Sequence, residues 1–350
     1  MVDIIRKTLK PVILRALLVL HAVMTWQAGA QASVTSPNMP IAQTAEDFDS
    51  RSRDRVIASI ESQLKNTYID LPIAERMNAA LTAHQRAGDY DGITDRYSFA
   101  FRLTKDLQAV SQDRHLRVEF APFPQQAMQT EPSAAKVAIE RAQALRDNCA
   151  FKEVKILPNN IGYIKFDAFR NPDLCAHAAS AAIASVAHCS ALIVDMRENG
   201  GGYSAMVNYI ATYFFNKPTH LTDIYTRKND NTQQHWTLPA VPGERLATQP
   251  IYVLTSKDTF SAAEEFSYDL QAQKRALVIG EATGGGAHPI HSYPLTDSLI
   301  IYVPESRPIN PITHTDWEGK GVIPDISVSA IDALSVAETL ATQKIQGKPQ

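Results

Sequence analysis

Apolar residues recur at helical spacing over the first long stretch that carries a clear pattern, residues 46–111. Three stripes follow one another there: Val56, Ile57, Ile60 and Leu64; Ile73, Met77, Ala80 and Leu81; Tyr97, Ala100, Phe101 and Leu107. Spacings of three and four residues place each set on one face of a helix. The pattern predicts a small unit of three helices.

The period changes at residues 115–120, HLRVEF. Leu116, Val118 and Phe120 alternate with polar residues, which predicts a strand with His115 on its polar face. The segment APFPQQAMQTEPSAA that follows is typical of a linker, and a short helix is expected to end near Arg146.

From Cys149 onward, short apolar runs alternate with helical segments. The predicted strands are the hairpin FKEVKIL-PNN-IGYIKF, then SALIVDM, IYVLTS, ALVIGE and SLIIYVP. Helices are expected after the glycines 200–202, up to about Phe215, and from the segment TFSAAEEF. Strand–helix alternation of this kind predicts an α/β core.

The first thirty residues have another character. A basic start is followed by the apolar run ALLVLHAVMTW and by Ala28-Gly29-Ala30, the order of a secretory signal peptide. The run is short for a bilayer span, so a membrane anchor is the weaker alternative. We expect cleavage after Ala30, a mobile leader over residues 31–45, and a periplasmic or secreted protein without a stable membrane anchor.

Charge and cysteine content limit the possible partners and the possible disulfides. The formal net charge is −3, and no basic run lies outside the first thirty residues, which argues against a nucleic-acid partner. Export permits a disulfide among the three cysteines. A predicted helix of ~20 Å keeps Cys175 from Cys189. Cys149–Cys175 is preferred as the pair. Buried free thiols remain the alternative.

Candidate chemistry centres on Ser261, where an apolar strand gives way to a helix. Ser261 and Glu264 fit a capping box, but the serine could equally be a nucleophile. A nucleophile needs oxyanion donors, and the glycines 200–202 could supply backbone N–H groups together with Ala262. Periodicity alone does not select the base from the ten histidines.

Four blocks in order make the chain resemble the S41 peptidases: ALIVDMRENGGG, YVLTSKDTFSAAEEF, VIGEATGGGAHP and NPITHTDWEGKGVIPD. The likeness is greatest to the branch that includes the tricorn core and the interphotoreceptor retinoid-binding protein repeats, and it covers roughly residues 100–340. It implies a crotonase/ClpP-like β-α superhelical core after a small helical domain. It also implies a serine peptidase that needs no cofactor and no metal.

The resemblance assigns roles to individual residues. Ser261 matches the nucleophile, His115 in DRHLRV matches the base, and Glu318 in WEGKGV matches the acidic member. Gly201 and Ala262 match the oxyanion donors.

Further residues are expected around these. Asp113 could help orient His115, and either Asp113 or Glu318 is expected to raise the imidazole pKa above its usual ~6.5. Gly200, Gly285 and His288 are expected along the substrate groove. His291 and His314 are expected to be polar loop residues, because no metal-binding motif supports a histidine cluster.

Two features depart from the C-terminal processing branch of S41. That branch uses a Ser–Lys pair, but glycines 284–286 stand where its lysine would be, and neither Lys257 nor Lys274 lies in that block. The interval after His115 is also too short for a PDZ domain of ~90 residues. Arg114 stands where tricorn-like members have a serine beside the catalytic histidine.

We therefore predict a signal peptide (1–30), a leader (31–45), a helical domain ending in the His115 strand (46–128) and a catalytic core (129–345). The predicted function is that of an exported serine peptidase acting on peptides or proteins. A binding protein for apolar ligands on the same fold is the alternative. The sequence leaves oligomeric state and cleavage preference open.

Overall fold

A computed structural model of the chain describes residues 48–121, 134–296 and 298–347. The predicted signal peptide and leader lie outside these residues. The helices are α1 (Ser50–Thr67), α2 (Leu71–Ala87), α3 (Arg96–Ser111), α4 (Ala134–Arg146), α5 (Pro172–Ser185), α6 (Ser204–Thr212), α7 (Ala262–Ala272) and α8 (Ala333–Ile345). In the described part, no helix is long and apolar enough to cross a membrane.

The strands are β1 (Arg117–Phe120), β2 (Phe151–Leu157), β3 (Ile161–Phe166), β4 (Ala191–Asp195), β5 (His220–Thr226), β6 (Asn231–Trp236), β7 (Ile251–Thr255), β8 (Leu277–Gly280), β9 (Ile290–Thr296), β10 (Leu299–Pro304), β11 (Ser306–Ile309) and β12 (Ile326–Ser327). They form a six-stranded sheet in the order β12-β8-β7-β4-β3-β2 and two three-stranded sheets, β1-β10-β9 and β11-β5-β6.

The predicted three-helix unit is confirmed, but Tyr97 and Phe101, which were placed on its third apolar face, are exposed. The helices begin where the sequence supplies caps. Asp49, Asp70 and Asp95 each accept a hydrogen bond from the backbone N–H three residues later. A capping carboxylate satisfies a donor that the first helical turn leaves free. The buried faces of α1–α3 pack on β1, β9 and β10.

The six-stranded sheet lies at the centre of the hydrophobic core of the α/β part. β2 and β3 form the predicted antiparallel hairpin, and β3, β4, β7, β8 and β12 run parallel. Helices α5, α6 and α7 cover one face and α8 covers the other. β4 and β7 are buried along their whole lengths, as parallel strands covered on both faces are. The α/β expectation is confirmed.

Some elements were not predicted. Strand β6 reads NTQQHW and is largely exposed, so it has no apolar alternation by which a sequence pattern could reveal it. The Cys149–Cys175 disulfide is present, with its Cα atoms 5.6 Å apart, and Cys189 is free and buried. The preferred cysteine pairing is therefore confirmed.

Candidate active site

Ser261 lies at the turn between β7 and α7, in an unusual backbone conformation. Its φ is 56° and its ψ is −122°, a region that residues with a Cβ rarely adopt. Strain of this kind persists only where the surrounding structure imposes it, and it clusters at functional sites. The sequence predicted the strand-to-helix position but gave no sign of the positive φ.

The Glu264 carboxylate holds this turn in place. Its Oε2 accepts hydrogen bonds from the N–H groups of Ser261 (2.8 Å) and Gly286 (2.9 Å). Its Oε1 accepts from the Gly285 N–H (2.7 Å) and from the Thr283 hydroxyl. Burial raises the pKa of Glu264, although these donors oppose the shift. The predicted capping carboxylate therefore also ties the serine turn to the glycines 284–286.

The loop that contains glycines 200–202 passes directly beside Ser261. Gly201 has a φ of +96°, and a Cβ on it would lie 2.7 Å from both the Phe260 carbonyl oxygen and the Ser261 Cβ. Only a residue without a side chain allows this approach. The Gly201 N–H donates to Asn199 Oδ1 at 2.9 Å.

Two other N–H groups near the serine are free of such a bond. Both Gly202 and Ala262 line the cleft that contains Ser261. Among the hydrogen bonds of the described residues, neither of their N–H groups donates to a protein acceptor. The predicted donor Gly201 is thus engaged in this conformation, whereas Ala262 is available.

His115 lies in a buried pocket and precedes β1 by two residues. Only 7% of its surface is exposed, and its ring centroid lies 4.7 Å from that of Phe260. Its backbone N–H donates to Asp113 Oδ1 at 2.9 Å, but its ring Nδ1 is buried without a hydrogen-bond partner. Burial lowers the pKa of His115 to about 4, and the opposing charge of Asp113 does not offset it. The expected upward shift is therefore wrong.

Ser261 and His115 line the same cleft, which has a volume of about 520 Å³. No hydrogen bond joins the two side chains in the structure, which is common for catalytic pairs without substrate. The walls are formed by His115, Arg117, Gly200, Gly202, Tyr203, Ser204, Phe260, Ser261, Ala262, Glu265, Ala287, His288, Pro289, Ile290 and Trp317.

The residues expected along the substrate groove are not all placed at this cleft. Gly200 and His288 line the cleft as predicted, but Gly285 does not. The Gly285 N–H is turned toward Glu264 and its carbonyl accepts from the Gly319 N–H at 2.9 Å, so its backbone is used inside the protein. Neither Lys257 nor Lys274 is among the cleft residues.

Glu318 lies beside the cleft but does not reach His115. Its Oε2 accepts hydrogen bonds from the N–H groups of Ala287 (2.6 Å) and His288 (3.3 Å), and it lies 3.7 Å from His288 Nδ1. Burial, followed by the negative charge of Asp113, raises the pKa of Glu318 to about 7. The carboxylate makes no hydrogen bond or ion pair with the His115 ring.

Asp113 and His288 complete an acidic network next to His115. His288 Nδ1 is 2.8 Å from Asp113 Oδ2, and the Tyr68 hydroxyl donates to the same oxygen at 3.3 Å. Burial lowers the pKa of His288, but the Asp113 hydrogen bond and the Glu318 charge outweigh it and raise the value overall. Asp113 therefore links His115 to His288 and, through Tyr68, to the end of α1.

Asp113, His288 and Glu318 are the candidate metal ligands among the described residues. One ligand atom from each of Asp113, His288 and Glu318 lies within 4.8 Å of the others. The Asp113–His288 hydrogen bond and two backbone donors to Glu318 already satisfy them. His291 instead lies 3.3 Å from Glu305 Oε2, so the histidines of that region do not gather into one cluster.

Comparison with known proteins relates the chain to a peptidase family. Residues 160–328 match the sequence model of peptidase family S41, and residues 50–158 match the model of the N-terminal domain of peptidase S41 in eukaryotic IRBP. The chain is 30% identical over 174 residues to the chloroplastic carboxyl-terminal-processing peptidase 2 of Arabidopsis thaliana. That match covers 47% of this chain and 31% of the relative, so the chain spans about a third of the relative's length.

Solved structures share the fold. A protein from Parabacteroides merdae has a TM-score of 0.57 at 20% identity, covering 85% of this chain and 99% of its own. The tricorn protease has a TM-score of 0.52 at 14% identity, covering 84% of this chain and 37% of its own. These likenesses confirm the expected fold, an α/β core preceded by a helical unit.

Proposed function

Because the chain belongs to peptidase family S41, we propose that it is a serine peptidase that hydrolyses peptide bonds in the cleft described above. The observation that carries this proposal is the Ser261 turn. A strained serine, a histidine and free backbone N–H groups line one cleft, which is the set of parts that acyl transfer to a serine requires.

In this mechanism the Ser261 oxygen attacks the peptide carbonyl, and His115 accepts the hydroxyl proton as the new C–O bond forms. The negative charge that develops on the carbonyl oxygen is stabilised by the Ala262 N–H. A second donor comes from the glycine loop: Gly202 as it stands, or Gly201 once it releases Asn199. His115 then protonates the leaving amine, and water hydrolyses the acyl-enzyme by the same steps in reverse.

Asp113, His288 and Glu318 form the acidic network that adjoins His115. We assign Asp113 to orienting the histidine, because it binds the His115 backbone and draws His288 and Tyr68 to its other oxygen. Glu318 fixes the backbone of Ala287 and His288 and adds negative charge beside Asp113. Glu318 thus supports the imidazolium through this network rather than by direct contact.

An alkyl fluorophosphonate tests the proposal, because it reacts with an activated serine and spares a serine that only caps a helix. We expect covalent labelling of one residue, Ser261, detected by intact-mass and peptide mass spectrometry. The alternative, a binding protein for apolar ligands on the same fold, requires that Ser261 remain unlabelled.

The pH dependence follows from the burial of His115. With the pKa of the free enzyme's imidazole lowered to about 4, the base is neutral and able to accept a proton above about pH 5. We expect kcat/KM for a peptide with an uncharged residue at the attacked carbonyl to stay flat from pH 8 to pH 6 and to fall only as the pH approaches the lowered value. An acid limb near pH 7 that disappears in Glu318→Gln would contradict this and assign control to the acidic network.

We also propose that the protein is exported and then trimmed. The basic start, the apolar run and Ala28-Gly29-Ala30 support cleavage at that point. N-terminal sequencing of the protein recovered outside the cytoplasm is expected to begin at Gln31. A sequence beginning at Met1 in that fraction would show that the signal peptide is retained.

A further inference from the structure

Glu265 lines the catalytic cleft but has no part in the mechanism above. It follows Glu264 on α7, lies one helical turn beyond Ser261, and is only 5% exposed. Among the described residues that line the cleft it carries the sole carboxylate. Burial disfavours the charged form of a carboxyl group, so a buried acid usually has a partner that stabilises its charge.

The Glu265 carboxylate is only half satisfied. Its Oε2 accepts a hydrogen bond from the Ser204 hydroxyl at 2.5 Å, whereas its Oε1 is buried without a hydrogen-bond partner. Within residues 48–121, 134–296 and 298–347, no lysine or arginine forms a salt bridge with it. The carboxylate therefore keeps an unused acceptor, which a donor in the cleft can satisfy once the carboxylate turns toward it.

A second buried acid lies one turn further along the helix. Asp269 Oδ1 accepts from the Asn310 amide at 3.1 Å, and Asp269 is not among the cleft residues. Burial and the charge of Glu265 together raise the pKa of Asp269 well above its usual value. Burial likewise raises the pKa of Glu265 to about 7. A cation next to Glu265 would relieve both shifts, since opposite charge favours the ionised carboxylate.

We propose that Glu265 binds the cationic side chain, lysine or arginine, of the peptide residue whose carbonyl Ser261 attacks. This assignment rests on the proposed peptidase function and names its substrate class. Residues four apart on a helix have Cβ atoms about 6 Å from each other, and long helical side chains lean toward the N-terminus. Glu265 and Ser261 line the same cleft, so a substrate held at the serine has its neighbouring side chain next to the wall that Glu265 forms.

The rest of the cleft suits such a side chain. Phe260, Ile290 and Trp317 supply apolar surface for the methylene stem. The Arg117 side chain, which would repel a cation, is already paired with Glu119 at 2.6 Å and lies 3.9 Å from the centre of the Tyr302 ring. His288, the other cationic candidate in the cleft, is paired with Asp113 at 2.8 Å, so the unpaired charge that an incoming ammonium or guanidinium meets is that of Glu265.

Two peptidyl diphenyl phosphonates test this assignment. They differ only at the residue next to phosphorus, which is lysine in one and norleucine in the other. The Ser261 oxygen forms a bond to phosphorus and phenol leaves, with the serine proton passing to the base. The readout is the ratio of the two second-order inactivation rate constants, in which any effect on the serine or base cancels.

We expect the wild-type protein to react about tenfold to a hundredfold faster with the lysine probe, the value of a charged hydrogen bond made in a buried site. Glu265→Gln should bring the ratio to about one, and Glu265→Asp should restore part of the preference. The wild-type ratio should also rise between pH 6 and pH 8, as the Glu265 carboxyl loses its proton while lysine stays charged.

Asp269→Asn is the matched control, since it removes a buried carboxylate from the same helix outside the cleft. It should keep the preference for lysine. If Asp269→Asn abolishes the preference as fully as Glu265→Gln does, the carboxyl pair shares a proton for structural reasons and Glu265 is not the contact. An equal rate with both probes in the wild-type protein also overturns the assignment.

A neutral alkyl fluorophosphonate separates this inference from the proposed function. If it labels wild-type Ser261 while the lysine and norleucine probes react equally, the peptidase proposal stands and the Glu265 assignment falls. If it fails to label Ser261, the peptidase proposal itself falls.

Discussion

Ser261→Ala is expected to abolish both fluorophosphonate labelling and peptide hydrolysis. Removal of the nucleophile eliminates the covalent pathway, and rates in comparable serine enzymes then drop by about five to six orders of magnitude. What remains derives from the oxyanion donors and from substrate binding. The measurement is kcat/KM for a peptide selected from a cleavage library, alongside labelling at matched concentrations.

The control for this substitution is the folded state. An alanine still occupies a strained position here, because the φ of residue 261 is positive and alanine gains no relief from that strain. Circular dichroism and thermal unfolding of Ser261→Ala should therefore resemble those of the wild-type protein. Retained hydrolysis by a folded Ser261→Ala protein would show that another residue is the nucleophile.

His115→Ala is expected to reduce kcat by about four orders of magnitude or more, since the serine then has no group to accept its proton. The lysine substitutions provide the contrast. Lys257 and Lys274 lie outside the cleft, so Lys257→Ala and Lys274→Ala should keep most of the activity. The measurement is kcat for each purified variant at one saturating peptide concentration.

The outcome of this comparison decides between a histidine base and a lysine base. In the segment where the C-terminal processing branch places its lysine, the N–H groups of Gly285 and Gly286 bind Glu264. A His115→Ala protein close to wild type, together with an inactive lysine variant, would overturn the role given to His115.

Sequence reasoning reached the main elements and missed those without a periodic signal. The stripes at Val56 and Leu64 predicted α1, and the apolar run at Ile193 predicted β4, because burial of one face imposes a period on the sequence. Strand β6 has no such face. It pairs with β5 through backbone hydrogen bonds, which leave little trace in the choice of side chains.

In the candidate site, too, some features follow from the sequence pattern and others only from the fold. Ser261 and the adjacent glycine loop stand at strand-to-helix turns that the pattern predicts. Glu264 was predicted as a cap, but its bonds to Gly285 and Gly286 join segments that only the fold brings together. Tyr68 on Asp113 belongs to the same class, since α1 and the segment before β1 are separate in sequence. Neither partner carries a local signal for the other.

What the sequence determined by itself was the order of elements and the residue types of the site. These follow from interactions between near neighbours, where backbone geometry fixes the spacing. Only the tertiary structure decided that His115 is buried without a partner on Nδ1, that Glu318 binds the backbone at His288, and that Glu265 opens onto the cleft. Burial and electrostatic environment are sums over segments distant in the chain, so a linear pattern does not contain them.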